Sequence, residues 1–266
     1  SRKQTPGKPY VVGQWCPQSN GAWALPHEAA DQLLAAVTAA HDDWDALVRR
    51  GIFVYPRVWG EGPAGTVGGE DIFQIPEVAN ASPQVYALWP HAASILLRGR
   101  NDQDHARAAD RRRRSTPGWD PAQGVMTVDT PFTQGLAGWI SGRTAAFPTL
   151  KVSSSTVVAV SLKKTQPIAE AKRLLVSAVA QVEPTGFRWV DPWRRDVADP
   201  GRPPFLQEPV EARVEWLRKG PVKGYVLDNA GNRVGPARLE PLSGGEGVAL
   251  VVDGRVPAFH WELVVE

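Results

Sequence analysis

The spacing of apolar and polar positions changes character part-way along the chain. From Glu28 to about Arg49, residues Ala30, Leu33, Leu34, Val37, Ala40, Trp44, Leu47 and Val48 recur at intervals of three and four. That spacing lays one apolar stripe along an amphipathic helix, and Gly51 is placed to stop it. Short apolar runs flank this segment. Pro9 to Gly13 and Ile52 to Tyr55 each read as a buried strand. A second helix is expected from a Ser82 cap to Arg98, with Val85, Leu88, Trp89, Ala92, Ile95 and Leu96 as its apolar face and a kink at Pro90. Strand, helix, strand, helix is the repeating unit of an α/β fold.

Residues 99–118 are polar and charged. They include Arg111 to Arg114 and close on Pro117-Gly118. The stretch reads as a solvated connection, with phosphate or sulfate binding by the arginines as the alternative. Beyond Trp119 the spacing shortens to two. Strands are expected at 125–128, 136–140, 149–152, 157–162, 173–182, 210–217, 223–227, 248–252 and 258–265. Val210, Ala212, Val214 and Trp216 alternate with Glu211, Arg213 and Glu215. Phe259, Trp261, Leu263 and Val265 alternate with His260, Glu262 and Glu266. Both patterns predict a strand with one wet face. Asp228-Asn-Ala-Gly231 is a hairpin signal. The proline-rich stretch 191–209 reads as a long surface loop. Short strands separated by turn residues point to an antiparallel β-sandwich.

Two strand–helix units neither close a barrel nor cover both faces of a parallel sheet. The first part of the chain is therefore expected to be completed by a second polypeptide or by a missing N-terminal segment.

Composition narrows the function classes. The chain has 266 residues, with 30 Lys+Arg against 28 Asp+Glu, too balanced for a general nucleic-acid binder. No apolar run approaches a membrane span, and the opening residues from Ser1 have no apolar signal core. A single cysteine, Cys16, excludes an internal disulfide framework and a cysteine-cluster zinc site. Eleven tryptophans against seven phenylalanines stand out, because a flat indole stacks on a sugar ring as readily as it fills a core.

The segment Lys8-Pro-Tyr-Val-Val-Gly-Gln-Trp15 resembles a run at the end of strand seven in the large retaining clan of (β/α)8 glycoside hydrolases. There the residue at the Gln14 position is the nucleophilic Glu. Ala35 to Asp45 looks like barrel helix seven, Gly51 to Trp59 like strand eight, and Pro83 to Ala93 like helix eight. Gly124 to Gln134 and Lys172 to Ala180 resemble β-sandwich segments that follow the barrel in bacterial members. The resemblance implies an α/β plus all-β chain. Residues 1–99 would be the C-terminal portion of a barrel, 100–118 a linker and 119–266 a β-sandwich. It implies no cofactor and no metal, and an extracellular or cell-envelope setting. Active sites of such barrels lie at the C-terminal ends of the strands. Gln14 and Trp15 would then share a pocket mouth with Tyr55 and Trp59, with Trp59 as the sugar platform.

The departure from the pattern is Gln14. A retaining mechanism needs a carboxylate there, and an amide cannot form the covalent intermediate. The family's acid/base Glu stands on strand four, which this chain lacks. Gln14 fits a natural non-catalytic relative, a Glu-to-Gln substitution made to trap substrate, or a different alignment of the motif. The expectation is a glycosidase-related protein that binds carbohydrate or acts as a scaffold. One alternative is an assembly subunit whose barrel remnant is an interface; another is a glycosidase active only with a partner chain.

Other clusters have plainer readings. His41 and Asp45 share a helix face, but two ligands make no metal site. Asp129 suits a turn. His27 reads as a cap or surface residue and Cys16 as a buried thiol. The Gly-rich 60–69 stretch reads as a loop over the pocket. Phe187, Trp189 and Trp193 read equally as a glycan platform or a loop anchor.

Overall fold

The computed structural model describes residues 5, 8–15, 28–42, 44–49, 66–67, 70–71, 87–102, 118–154, 157–162, 166–190, 197–199 and 201–266. Strand β1 (Val11–Trp15) is followed by helix α1 (Glu28–His41) and strand β2 (Ala46–Arg49). β1 and β2 pair in parallel, Val11 opposite Ala46 and Val12 opposite Leu47. The α1 helix is shorter than its apolar stripe predicts. It stops at His41, and Leu47 joins the strand. The cause is local. The amide of Asp45 donates to the Tyr10 carbonyl at 2.9 Å, and the Tyr10 amide donates to Asp45 Oδ2 at 2.8 Å. This reciprocal clasp starts the parallel pair before Gly51. It also gives Asp45 a structural role. The expected strand at 52–55 lies outside the described residues.

Within the Gly-rich stretch, β3 (Thr66–Val67) pairs with β4 (Glu70–Asp71). Helix α2 (Trp89–Asp102) follows. Pro90 sits in its first turn, where a missing N–H costs nothing; Ala87 is helical and Leu88 is a turn just before it, and the expected start at Ser82 lies outside the described residues.

The rest of the described chain is strand and turn. In order come β5 (Trp119–Asp120), β6 (Val125–Asp129), β7 (Thr133–Gly138), β8 (Arg143–Ala146), β9 (Leu150–Ser154), β10 (Val157–Leu162) and β11 (Arg173–Val179). Next are β12 (Val182–Thr185), β13 (Arg188–Trp189), β14 (Val197–Asp199), β15 (Arg202–Gln207), β16 (Glu211–Trp216) and β17 (Val222–Leu227). The last are β18 (Arg233–Pro236), β19 (Leu239–Pro241), β20 (Val248–Asp253) and β21 (His260–Val265). The expected strand over 173–182 is thus broken into β11 and β12. The expected loop over 191–209 contains β14 and β15, which prolines tolerate because each pairs on one side only.

Two antiparallel sheets dominate. One runs β18-β17-β21-β11-β10-β7-β6-β5 and the other β19-β20-β16-β9-β8. Their facing sides share a core of Leu150, Val152, Leu174, Val176, Val214, Trp216, Leu250, Trp261 and Leu263. Trp216 is fully buried, and its indole N–H donates to the Ile168 carbonyl at 3.3 Å. This is a β-rich chain with two packed sheets.

The outer face of the eight-stranded sheet is covered as well. Leu33, Ala36, Val37 and Ala40 of α1 and Ile95 of α2 join Val125, Val128, Leu136, Val179 and Phe259 in a second core. The apolar stripes of both helices therefore rest on this chain's own sheet. The period of β21 was read correctly, but its polar side is not wet. His260 and Glu262 are 9% and 5% exposed.

Candidate functional site

The β12–β15 ribbon carries an open cleft of about 350 Å³, lined by Gln181, Glu183, Pro184, Phe187, Leu206 and Glu208 among others. Register explains the lining. Glu183 lies opposite Leu206 and Val182 opposite Gln207, so alternate residues of each strand share a face. Val182 is buried, Glu183 stands half-buried on the open side, and Pro184, though buried, borders the cleft. The ribbon is tied at both ends. The Glu208 amide donates to the Gln181 carbonyl at 2.9 Å, and Thr185 Oγ1 donates to the Pro204 carbonyl at 2.7 Å. The Gln181 carboxamide donates to Glu183 Oε1, and the Gln207 carboxamide donates to the Ala258 carbonyl at 3.0 Å. Phe187 meets Trp189 edge to face, with ring centroids 5.0 Å apart and planes at 82°. Trp189 therefore anchors the aromatic ring at the rim of the cleft. Two carboxylates and a carboxamide accept and donate to hydroxyl groups, while Phe187 and Leu206 offer apolar contact. That chemistry suits reversible binding of a polyhydroxylated ligand.

A second polar constellation lies under the helices. Ser177 of β11 and His260 of β21 are register partners. The Ser177 hydroxyl stands 2.6 Å from His91 Nε2 of α2 and 2.7 Å from His260 Nδ1. One hydroxyl proton serves this bridge, so Ser177 donates to one ring and accepts from the other. Burial, helped by the charge His260 can carry, pushes His91 down to about 3, and burial lowers His260 too. His91 is completely buried, so Ser177 is sealed beneath α2. The bridge pins a helix to a sheet; no substrate reaches the hydroxyl.

Beside it, Glu262 accepts from Arg173 and, at 2.7 Å, from Arg233 Nε. Burial opposes its charge, but the two arginines outweigh that and hold its carboxyl below the usual range. The Arg233 guanidinium lies 3.9 Å from the Tyr225 ring centroid.

The residues singled out from sequence fall as follows. Gln14 and Trp15 are the last two residues of β1, and their backbone alone is described. Tyr55 and Trp59 lie outside the described residues, as do Cys16, His27, Trp193 and the Arg111 to Arg114 run. The pocket mouth of Gln14, Trp15, Tyr55 and Trp59 therefore has only the β1 end in place. Asp129 accepts from the Gln134 carboxamide at 2.9 Å, while Thr130 Oγ1 accepts from the Thr133 amide of the same turn at 2.9 Å. Sequence reasoning missed Glu183 and Glu208, because the proline-rich stretch hid the strand that pairs with them. It missed the histidine bridge because the partners come from three elements far apart in the chain.

Comparison with protein-family models, with curated proteins and with solved structures finds no match. Among the described residues, no helix is long and apolar enough to cross a membrane.

Proposed function

We propose that the chain is the C-terminal portion of a glycoside-hydrolase-related protein and that it binds carbohydrate without cleaving it. The observation that carries this reading is the parallel β1–α1–β2 unit with Gln14 at the C-terminal end of β1. That is the strand end where the resembling barrels hold their nucleophile. An amide in that position leaves the oxocarbenium-like transition state without its carboxylate. Binding then takes place on the sandwich side, and the cleft around Glu183, Phe187 and Glu208 is the place for it.

The test is titration with neutral cello-, xylo- and manno-oligosaccharides, followed by calorimetry. Saturable binding that weakens in Phe187→Ala supports the reading. Absence of binding to the whole panel refutes it. No glycoside hydrolysis is expected from this chain.

The assembly reading has its own observation. Among the described residues β1 and β2 pair only with each other, and a parallel sheet needs more strands and cover than one pair supplies. Native mass spectrometry that finds a second polypeptide with several strand–helix repeats favours it. Glycosidase activity that appears only in such a complex, and depends on the partner's carboxylates, would favour the third reading.

A further inference from the structure

We infer that Trp139 is a second carbohydrate platform, separate from the β12–β15 cleft, which stacks on the apolar face of a pyranose. The inference takes its ligand class from the carbohydrate reading above but rests on different residues. Trp139 is 60% exposed, whereas Trp216 and Trp261 are buried in the sandwich core. It stands where the chain leaves β7 of the large sheet and crosses to β8 of the small one.

The exposed ring is braced from behind. Gly124 has a positive φ of 62°, and a Cβ there would fall 2.4 Å from Trp139 Cδ1. The Cδ1 edge of the indole therefore abuts a bare backbone, and any other residue there would push it away. Gly138, at φ 97°, is equally confined, since a Cβ there would fall 2.2 Å from the Gly124 carbonyl oxygen. The Trp139 amide donates to that same carbonyl at 3.0 Å. Arg143 Nε donates to the Trp139 carbonyl at 3.0 Å, and Arg143 Nη2 donates to Gln123 Oε1 at 2.6 Å. Asp120 Oδ1 in turn accepts from the Ala122 and Gln123 amides at 3.0 and 3.1 Å. Two turns are thus cross-tied around one exposed indole.

This bracing has consequences for recognition. A ring fixed before the ligand arrives loses little entropy on binding. A flat aromatic face accepts the C–H face of a sugar, and it needs polar groups beside it for the hydroxyls. The Gln123 carboxamide, the Arg143 guanidinium and the Asp120 carboxylate, all exposed, supply donors and acceptors on the same pair of turns.

The experiment uses the whole chain and its Trp139→Ala, Trp139→Phe and Phe187→Ala variants. Each is run in native gels containing soluble galactomannan, xylan or mixed-linkage β-glucan, and titrated with the matching hexasaccharides. Trp139→Ala should bind roughly tenfold more weakly to at least one glycan that Phe187→Ala still binds, and Trp139→Phe should recover part of the loss. Thermal melts of the Trp139 variants should match the parent, because the side chain is on the surface. Unchanged affinity in Trp139→Ala, with all binding lost in Phe187→Ala, overturns this inference and leaves the cleft reading intact. No glycan binding by the parent overturns both. Shielding of Trp139 only when a protein partner is added also overturns it.

Discussion

Strands β16 and β21 carry almost the same alternation and meet opposite fates. In each, one set of side chains fills the sandwich core, with Val214 and Trp216 from β16 and Trp261 and Leu263 from β21. The other sets differ. Arg213 and Glu215 of β16 keep side-chain exposures of 37% and 22% and pair loosely on an open sheet face. His260 and Glu262 of β21 are buried, and each has a dedicated partner from another strand or helix. The five-stranded sheet is two-faced, with one dry side and one wet side. The eight-stranded sheet is dry on its inner face and, where α1 and α2 lie over it, on part of its outer face; around Glu262 the outer face is covered by the half-exposed Arg173 and Arg233 instead. Alternation shows that the two sides of a strand differ. It does not show that the polar side meets water.

The largest expected effect tests what the two strands share. Trp216→Ala and Trp261→Ala should each lower unfolding free energy by about 3–5 kcal/mol, the usual range for emptying an aromatic site in a core. Urea denaturation measures both. A loss under ~1 kcal/mol at Trp261 would mean that β21 does not face the shared core, and the comparison would collapse.

Acid should separate the two polar faces. His91 titrates near 6.5 when unfolded and about 3 when folded. A depressed histidine contributes stability that is whole above pH ~6.5 and is lost as the pH falls toward 3. The loss is about 1.4 kcal/mol for each pH unit inside that window. His260 shifts the same way and adds to it. Hydrogen exchange at pH 7 and pH 5 should therefore show α2 and the β11–β21 pairing loosening in acid, while β16–β20 holds. Replacing His91 by Gln should flatten the response. Equal acid loosening of both sheets would remove the bridge as its cause.

These contrasts also show where sequence was legible. Dry faces were legible, since Val210, Ala212, Val214 and Trp216 were assigned inward and are buried. So was the Asp228 to Gly231 turn, where Asp228 accepts from the Ala230 and Asn232 amides at 2.9 and 2.8 Å. Helix ends were less so. The α1 stripe ran on to Val48, because residues of a short strand fell by chance at helical spacing. Only the long-range clasp between Asp45 and Tyr10 decides the boundary. The buried polar groups were not legible, since His91, Ser177 and His260 become partners only when the helix docks. Of the candidate site, Gln14 and Trp15 were read from a motif and sit at a strand end. Of the cleft carboxylates, Glu208 was hidden in a stretch whose prolines argued for loop, and Glu183 lies just past the end of the strand expected over 173–182.

The smallest effect sharpens the comparison most. Glu215→Gln should change stability by no more than ~0.5 kcal/mol, because its pairing with Arg213 is exposed, screened and backed up by Glu240. Glu262→Gln removes a nearly buried anion from between Arg173 and Arg233 and should cost about 1–3 kcal/mol. The two substitutions are chemically identical and one sheet apart. Raising salt from low to high should shrink the small Glu215 effect further and leave most of the Glu262 effect, since buried pairs are poorly screened. Should the two variants cost the same at both salt levels, burial of Glu262 between Arg173 and Arg233 would not be what distinguishes β21 from β16. The outer faces of the two sheets would then be energetically alike despite their different burial.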